Sequence, residues 1–487
     1  MQEANCDNFC TDADAHQRLS CGLLSDRGFR IIVGGGFMKR ALSVGILAAF
    51  VLGTAAGGAY FIMREKHEDR MIIKSYVEDT VVTEAPETSG HGGAAEITVE
   101  VDEKNEAGRS DGSSEETLQR EEPLDEELGF AADYFFSFLS EDEAYVCRQL
   151  LTGFYNMDET IYIKEGVIDS SEITELLEVC TASAPLIDYI DSNYMVSVDN
   201  DGFVTSVNVT YNLSEDEVNA RREATEARAD AIVSGFGEDW DDYTKYKFIH
   251  DELILGCTYE ESSGNDCYTA YGCLVNGKAV CEGYSRALMT VCERAGIPCV
   301  PVIGEGFDDN GSQSHVWNKV KLDGDWYATD LTWDDPIFDG SEDYVRYDYF
   351  AVTDEEMDRS HVRGINRYFT EPVCTEVYDD YYIHNGYYTD SIYSSSPVVE
   401  RAVSDTIAAG GEFARIKCSD REVFDQTLQW IFGDSTGSTE IFGYITENNE
   451  NAPGVVYDSN SYSVLNNPTT FTISIRLHYT EPEAEKE

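Results

Sequence analysis

Basic residues are scarce in this chain of 487 residues: 34 Lys and Arg face 93 Asp and Glu, a formal net charge of −59. That shortage argues against nucleic acid as a partner, because gripping phosphates takes a surplus of cations. It equally disfavours docking on anionic lipid. Cysteine is sparse, with 13 residues, too few for a disulfide-built scaffold of this length. No CxxC pair occurs, which argues against a zinc site, and neither a P-loop nor a dinucleotide fingerprint is present. By contrast, 42% hydrophobic and 12% aromatic residues suffice to bury real cores, which excludes wholesale disorder. At about 150 residues per domain, the length suggests about three domains.

An uncharged run extends from Ala41 to Met63 behind Lys39 and Arg40. It is long enough to span a bilayer as a helix, since about 20 residues suffice, and the preceding cations leave the N-terminus in the cytoplasm. A cleaved signal peptide ending near Thr54-Ala55-Ala56 is the alternative. The anchor is preferred because Tyr60-Phe61-Ile62-Met63 prolongs the run. Either way the bulk of the chain is expected outside the cytoplasm. Met38-Lys39-Arg40 reads like a bacterial start, so residues 1–37 are a candidate mis-called start.

Residues 64–127 are rich in Glu, Ser, Gly and Thr and read as a disordered acidic linker. An N-terminal α+β domain is expected over 128–225. In it Ser140-Glu141-Asp142-Glu143 has capping-box spacing and Gly153 is the expected helix stop. Alternation from Phe203 to Tyr211 marks a strand. The last α+β domain, 399–487, repeats this pattern: Ser419-Asp420-Arg421-Glu422 opens a helix, and Phe471 to Tyr479 alternate as a strand. A Tyr-rich stretch, 359–398, precedes it. Its Tyr381-Tyr382 and Tyr387-Tyr388 suit either stacking on cell-wall sugars or, more commonly, covering a core edge.

The segment 226–358 holds the informative residues. Tyr284, Ala287, Leu288, Val291, Cys292 and Ala295 follow the spacing of one buried helix face, and Gly296 and Pro298 end it. Cys281 therefore opens a helix, where unpaired N–H groups and the positive dipole end favour thiolate over thiol and are able to hold an oxyanion. A lone free cysteine is more often a packing residue.

The downstream hairpin changes that balance. Ser314 to Leu322 reads as a strand, Asp323-Gly324 as a type I′ turn, and Asp325 to Trp333 as the return strand. A two-residue turn pairs Leu322 with Asp325, so Trp317 faces Asp330 and His315 faces Thr332. His315 and Asp330 then become diagonal neighbours on one face, about 7–8 Å apart along the backbone and within side-chain reach. A one-residue slip would separate them.

Val280-Cys281-Glu282-Gly283-Tyr284, His315-Val316-Trp317-Asn318 and Trp326-Tyr327 with Asp330-Leu331-Thr332-Trp333-Asp334 together resemble the bacterial transglutaminase-like superfamily. The resemblance covers roughly Asp241 to Asp358. It implies a papain-like core, which with the two smaller α+β units read from the flanking residues makes an α+β chain. It also implies Cys281 as nucleophile, His315 as general acid/base and Asp330 as the residue that orients it. Tyr271 and Trp317 are candidates for the oxyanion or substrate side of the site, and Trp240 is the nearest upstream tryptophan. The stretch Asp199-Asn200-Asp201-Gly202 lacks the first and last ligands of a calcium loop. No metal and no other cofactor is expected.

The expected function is a thiol enzyme acting on peptide or glutamine carboxamide bonds through a thioester, as a peptidase, amidase or cross-linker. Its partner would be a protein or peptide substrate, with cell-wall and surface proteins as candidates. The alternative is a non-catalytic surface binding or scaffold protein. Cys257–Cys267 is one candidate disulfide, which spacing does not establish.

Overall fold

A computed structural model describes residues 60–65, 71–75, 97–101, 128–191, 194–308, 311–335, 344–432 and 436–480. The first layer holds helices Phe130–Phe136, Glu141–Asn156 and Ile173–Ser183. Ser140 accepts the Glu143 N–H while Glu143 accepts the Ser140 N–H at 2.9 Å, so the expected capping box forms. Gly153 does not stop that helix. A Cβ there would lie 2.5 Å from Ile161, so the glycine serves close packing, and Met157 supplies the left-handed cap. The accompanying sheet runs in the order Ile97–Val101, Tyr194–Val198, Val204–Asn208, Thr160–Tyr162.

The central layer packs helices Glu215–Val233, Asp242–Gly256 and Cys281–Ala295 with an antiparallel sheet ordered Asp325–Thr329, Gly311–Leu322, Cys299–Asp308, His361–Arg363. Tyr284, Ala287, Leu288, Val291 and Cys292 are all buried, as their spacing requires. One continuous hydrophobic cluster extends from Leu128 to Tyr382. The first helices thus share a core with the Cys281 helix, and Arg286 Nη1 ties the two by donating to the Ile187 carbonyl at 3.4 Å.

A separate cluster from Val399 to Leu477 forms the last unit. Its six-stranded sheet is ordered Tyr388–Thr389, Phe413–Cys418, Thr472–Tyr479, Tyr457–Asn467, Tyr60–Glu65, Met71–Ser75. Lys417 fixes this unit to the core through buried ion pairs with Asp380 at 2.7 Å and Glu356 at 2.6 Å. Tyr382 is buried and donates to Asp348 at 3.0 Å, while Tyr381 stacks on Tyr347, so this tyrosine pair covers a core edge.

Two expectations for the N-terminal region change. Tyr60–Met63, the end of the uncharged run, is strand rather than helix. Its aromatic and β-branched residues suit a strand: Ile62 and Met63 pair with Val464 and Ser463, and Tyr60 and Phe61 with Ser75 and Lys74. Met71–Ser75 and Ile97–Val101, inside the stretch expected to be a disordered acidic linker, are strands for the same reason. The rest of the proposed transmembrane run and the candidate start at Met38 lie outside the described residues. Among the described residues no helix is long and apolar enough to cross a membrane.

Candidate active site

Cys281 is the first residue of its helix. Val280 precedes it in an extended conformation without a side-chain cap, so no side chain competes for the helix-start N–H groups. The neighbouring segment is pressed close: Val280 N–H donates to the Cys267 carbonyl at 2.9 Å, and a Cβ on Gly283 would meet that same oxygen at 2.4 Å. Among the ten described cysteines, Cys281 alone is not buried. A nucleophile needs that access.

The hairpin positions the base. Asp323 and Gly324 have φ of 47° and 104°, the left-handed pair a type I′ turn demands, and Leu322 pairs with Asp325 as the turn predicts. The return strand stops at Thr329, not Trp333. Asp330 leaves the ladder because its Oδ1 accepts the N–H groups of Thr332 and Trp333, at 2.9 and 3.3 Å, and starts the short helix Leu331–Asp334. Its Oδ2 meets His315 Nε2 at 2.6 Å, with both residues buried. His315 Nδ1 is left for the sulfur, and Cys281 lies within hydrogen-bonding reach of the ring.

The electrostatics follow from this contact. Burial pushes the His315 imidazole toward neutrality, but the Asp330 charge and hydrogen bond, aided by Cys281, hold its proton up to about 10. Burial opposes ionisation of Asp330. The His315 charge and the hydrogen bonds from His315 and His361 override it and hold the carboxyl well below the usual range. The chain thus places an oriented imidazole between a carboxylate and the Cys281 sulfur.

Trp317 does not serve the oxyanion or substrate side as expected. It is 1% exposed, because it shares the His315 face and Val302, Ala328, Tyr349 and Val352 close over it. Its ring lies 6.1 Å from His315 and 4.9 Å from His361, which makes it packing for the imidazoles. Tyr271 sits under the Arg221 guanidinium at 5.0 Å, in a hollow lined also by Asp188 and Arg222. The phenols that sense the sulfur are Tyr259 and Tyr268: burial raises both, and the Cys281 charge raises them further. Trp240 packs against Phe236 and Phe248. Cys257 and Cys267 are free thiols: Cys257 interacts with the Cys273 thiol, and Cys267 donates to the Gly264 carbonyl at 3.0 Å. The candidate Cys257–Cys267 bridge does not form, and the Gly272–Asn276 helical turn carries Cys273 inward beside Cys257 instead.

Sequence reasoning missed Tyr259, Tyr268 and His361. His361 sits on a three-residue strand, too short for any alternation to mark, and its Nε2 is 3.0 Å from Asp330 Oδ2. The ligand atoms of His315, Asp330 and His361 lie within 4.8 Å of one another. Yet the 2.6 Å His315–Asp330 contact is hydrogen-bond spacing. Two ligands each about 2.0–2.2 Å from a tetrahedral ion would stand more than about 3 Å apart. As arranged, the cluster suits protons.

Residues 230–331 match the family model of the transglutaminase-like superfamily. These residues form a transglutaminase-like domain within the longer chain. Solved structures similar to parts of it include three of low identity. A candidate cysteine protease from Cytophaga hutchinsonii is 19% identical, with 27% of this chain and 52% of that one covered and a TM-score of 0.21. A structure described as a TGase is 13% identical, with 36% and 50% covered and a TM-score of 0.21. The periplasmic domain of TgpA from Pseudomonas aeruginosa is 15% identical, with 27% and 60% covered and a TM-score of 0.18. The chain thus spans about half of the first two and under two thirds of the third. Among curated proteins, none matches. The transglutaminase-like core carries Cys281, His315 and Asp330 in chain order, all within or one residue beyond a helix or strand end.

Proposed function

We propose that this transglutaminase-like core is a thiol enzyme that opens carboxamide or peptide bonds. The observation that carries the reading is the buried 2.6 Å His315–Asp330 bond with Cys281 in reach of the same imidazole. Cys281 attacks the carbonyl carbon as the thiolate, its proton having passed to His315, and the helix-start N–H groups stabilise the oxyanion. His315 gives its proton to the departing amine, which leaves a thioester and a neutral imidazole still held by Asp330. Water then attacks the thioester while His315 takes its proton, and the acid is released. A second amine in place of water would give a cross-link.

Hydrolysis is the first choice because water is always present. The substrate is a protein or peptide, and the negative charge of the chain favours cationic ones. We also propose action outside the cytoplasm, on the uncharged run behind Lys39 and Arg40; protease treatment of intact cells tests this. For the reaction, a glutamine-donor peptide is incubated with and without a labelled amine. Ammonia or new termini without label incorporation supports hydrolysis, and incorporation supports cross-linking. Neither product, with Cys281 no more reactive than free cysteine, would favour a binding or scaffold role.

A further inference from the structure

We infer that His361 is a positioning residue of the proposed thiol site: it shares Asp330 Oδ2 with His315 and limits how firmly that carboxylate holds the His315 proton. The inference rests on the thiol-enzyme reading and adds a residue to it.

The geometry is a line of hydrogen bonds. Tyr349 hydroxyl lies 3.0 Å from Ser360 Oγ, Ser360 Oγ lies 3.0 Å from His361 Nδ1, and His361 Nε2 lies 3.0 Å from Asp330 Oδ2. His315 meets that same oxygen from the other side at 2.6 Å. Tyr349, Ser360, His361, Asp330 and His315 are all buried. An ionised carboxylate only accepts, so both imidazoles must present N–H to Oδ2. With its hydrogen on Nε2, a neutral His361 accepts at Nδ1 from Ser360, which in turn accepts from Tyr349; the Met357 carbonyl also lies 3.3 Å from Nδ1 and takes a hydrogen bond from it only when the ring carries both hydrogens. In either form the hydrogen on Nε2 points at Asp330.

A filler histidine would need a partner, but not this one. His361 is paired opposite Gly306, where a Cβ would stand 3.3 Å from His315 Cγ and 2.9 Å from Trp333. The rings of His315 and His361 are 5.3 Å apart, with Trp333 4.5 Å from His361. The glycine lets the two imidazoles converge on one oxygen. A carboxylate oxygen that takes a second hydrogen bond presents less charge to the first. His315 is then a readier acid toward the leaving amine. The other titratable groups facing this line are Cys281 across from His315, with Tyr259 and Tyr268 near its sulfur, and Asp334 and Asp348 near Tyr349.

The test is the alkylation rate of Cys281 by iodoacetamide, read at peptide level from pH 4 to 11, in the wild type, His361→Phe and His361→Gln. The wild type shows two steps, the upper one marking loss of the His315 proton. In His361→Phe the upper step moves to higher pH by roughly one unit. His361→Gln, whose amide N–H takes the place of Nε2–H, returns it toward the wild-type position. A folded His361→Phe with its upper step unmoved overturns the inference while leaving the thiol-enzyme reading intact. A wild-type Cys281 as slow as free cysteine overturns both. Zinc that blocks labelling in the wild type but not in His361→Phe also overturns it, by making the cluster a metal site. An independent readout needs no variant: ¹⁵N-imidazole spectra of the wild type should show hydrogen on His361 Nε2, and hydrogen on Nδ1 alone would contradict the proposal.

Discussion

Replacing Asp330 by Asn tests the electrostatics of the site with little change of shape. The carboxylate holds the His315 proton up to about 10 against an ordinary 6.5. At about 1.4 kcal/mol per tenfold, that difference corresponds to about 5 kcal/mol, the net of Asp330 and Cys281 favouring the proton against the opposing cost of burial. The Asn oxygen still accepts the Thr332 and Trp333 N–H groups, so the start of the short helix survives. The amide NH₂ then faces His315 Nε2, which must turn a lone pair toward it. The ring hydrogen moves to Nδ1, opposite the sulfur, where it cannot accept the Cys281 proton. We expect turnover to fall by roughly 10²- to 10⁴-fold. Cys281 alkylation near pH 7 should slow at least tenfold, and its upper step should vanish. Stability carries a second signature. The raised His315 contributes stability that is complete below about 6.5 and is lost as pH rises through about 10. The lowered Asp330 contributes above about 3.9 and loses it as pH falls. Wild type and variant should therefore differ most between about pH 4 and 6.5 in urea unfolding, and converge toward pH 10. A folded Asp330→Asn that keeps alkylation within twofold of wild type at pH 7 would refute this reasoning.

Other perturbations separate packing from chemistry. Gly306→Ala places a methyl against Trp333 and His315; it should cost about 1–3 kcal/mol in denaturant unfolding and slow Cys281 alkylation, whereas unchanged alkylation would mean that His315 tolerates displacement. Lys417→Met strands Asp380 and Glu356 without their buried cation, and we expect a loss of about 3–5 kcal/mol near pH 7, measured by thermal or urea unfolding. Tyr271→Phe should leave turnover within about twofold, because its ring belongs to the Arg221 hollow; a hundredfold loss would return it to the oxyanion side of the site.

Much of the site was legible because it is built from short-range signals. The spacing from Tyr284 to Ala295 sets a helix whose first residue is Cys281, and Asp323-Gly324 sets a register that brings His315 to Asp330. The failures have long-range causes. Asp330 ends its strand by capping the next helix, a choice that alternation does not reveal. Period-two spacing places Trp317 beside His315 but does not say that Tyr349 and Val352 will seal that face. The approach of His361 depends on a three-residue strand pairing with Gly306, far from it in sequence. Local capping and alternation mark the first helices as a separate unit, yet Phe135 and Tyr284 occupy one cluster, a join that no local pattern encodes. Hydrophobicity alone suggests helix for Tyr60–Met63, but strands share it, and the Met71–Ser75 and Tyr457–Asn467 strands supply the pairing.

The central claim is that Cys281 becomes acylated. Rapid-quench mass spectrometry of the protein with an activated acyl donor, beside Cys281→Ala, measures this directly. The account predicts a transient acyl adduct on the peptide containing Cys281 that builds within the first turnover, decays in water and is absent from the variant. No adduct at Cys281, or an equal adduct in Cys281→Ala, would contradict it.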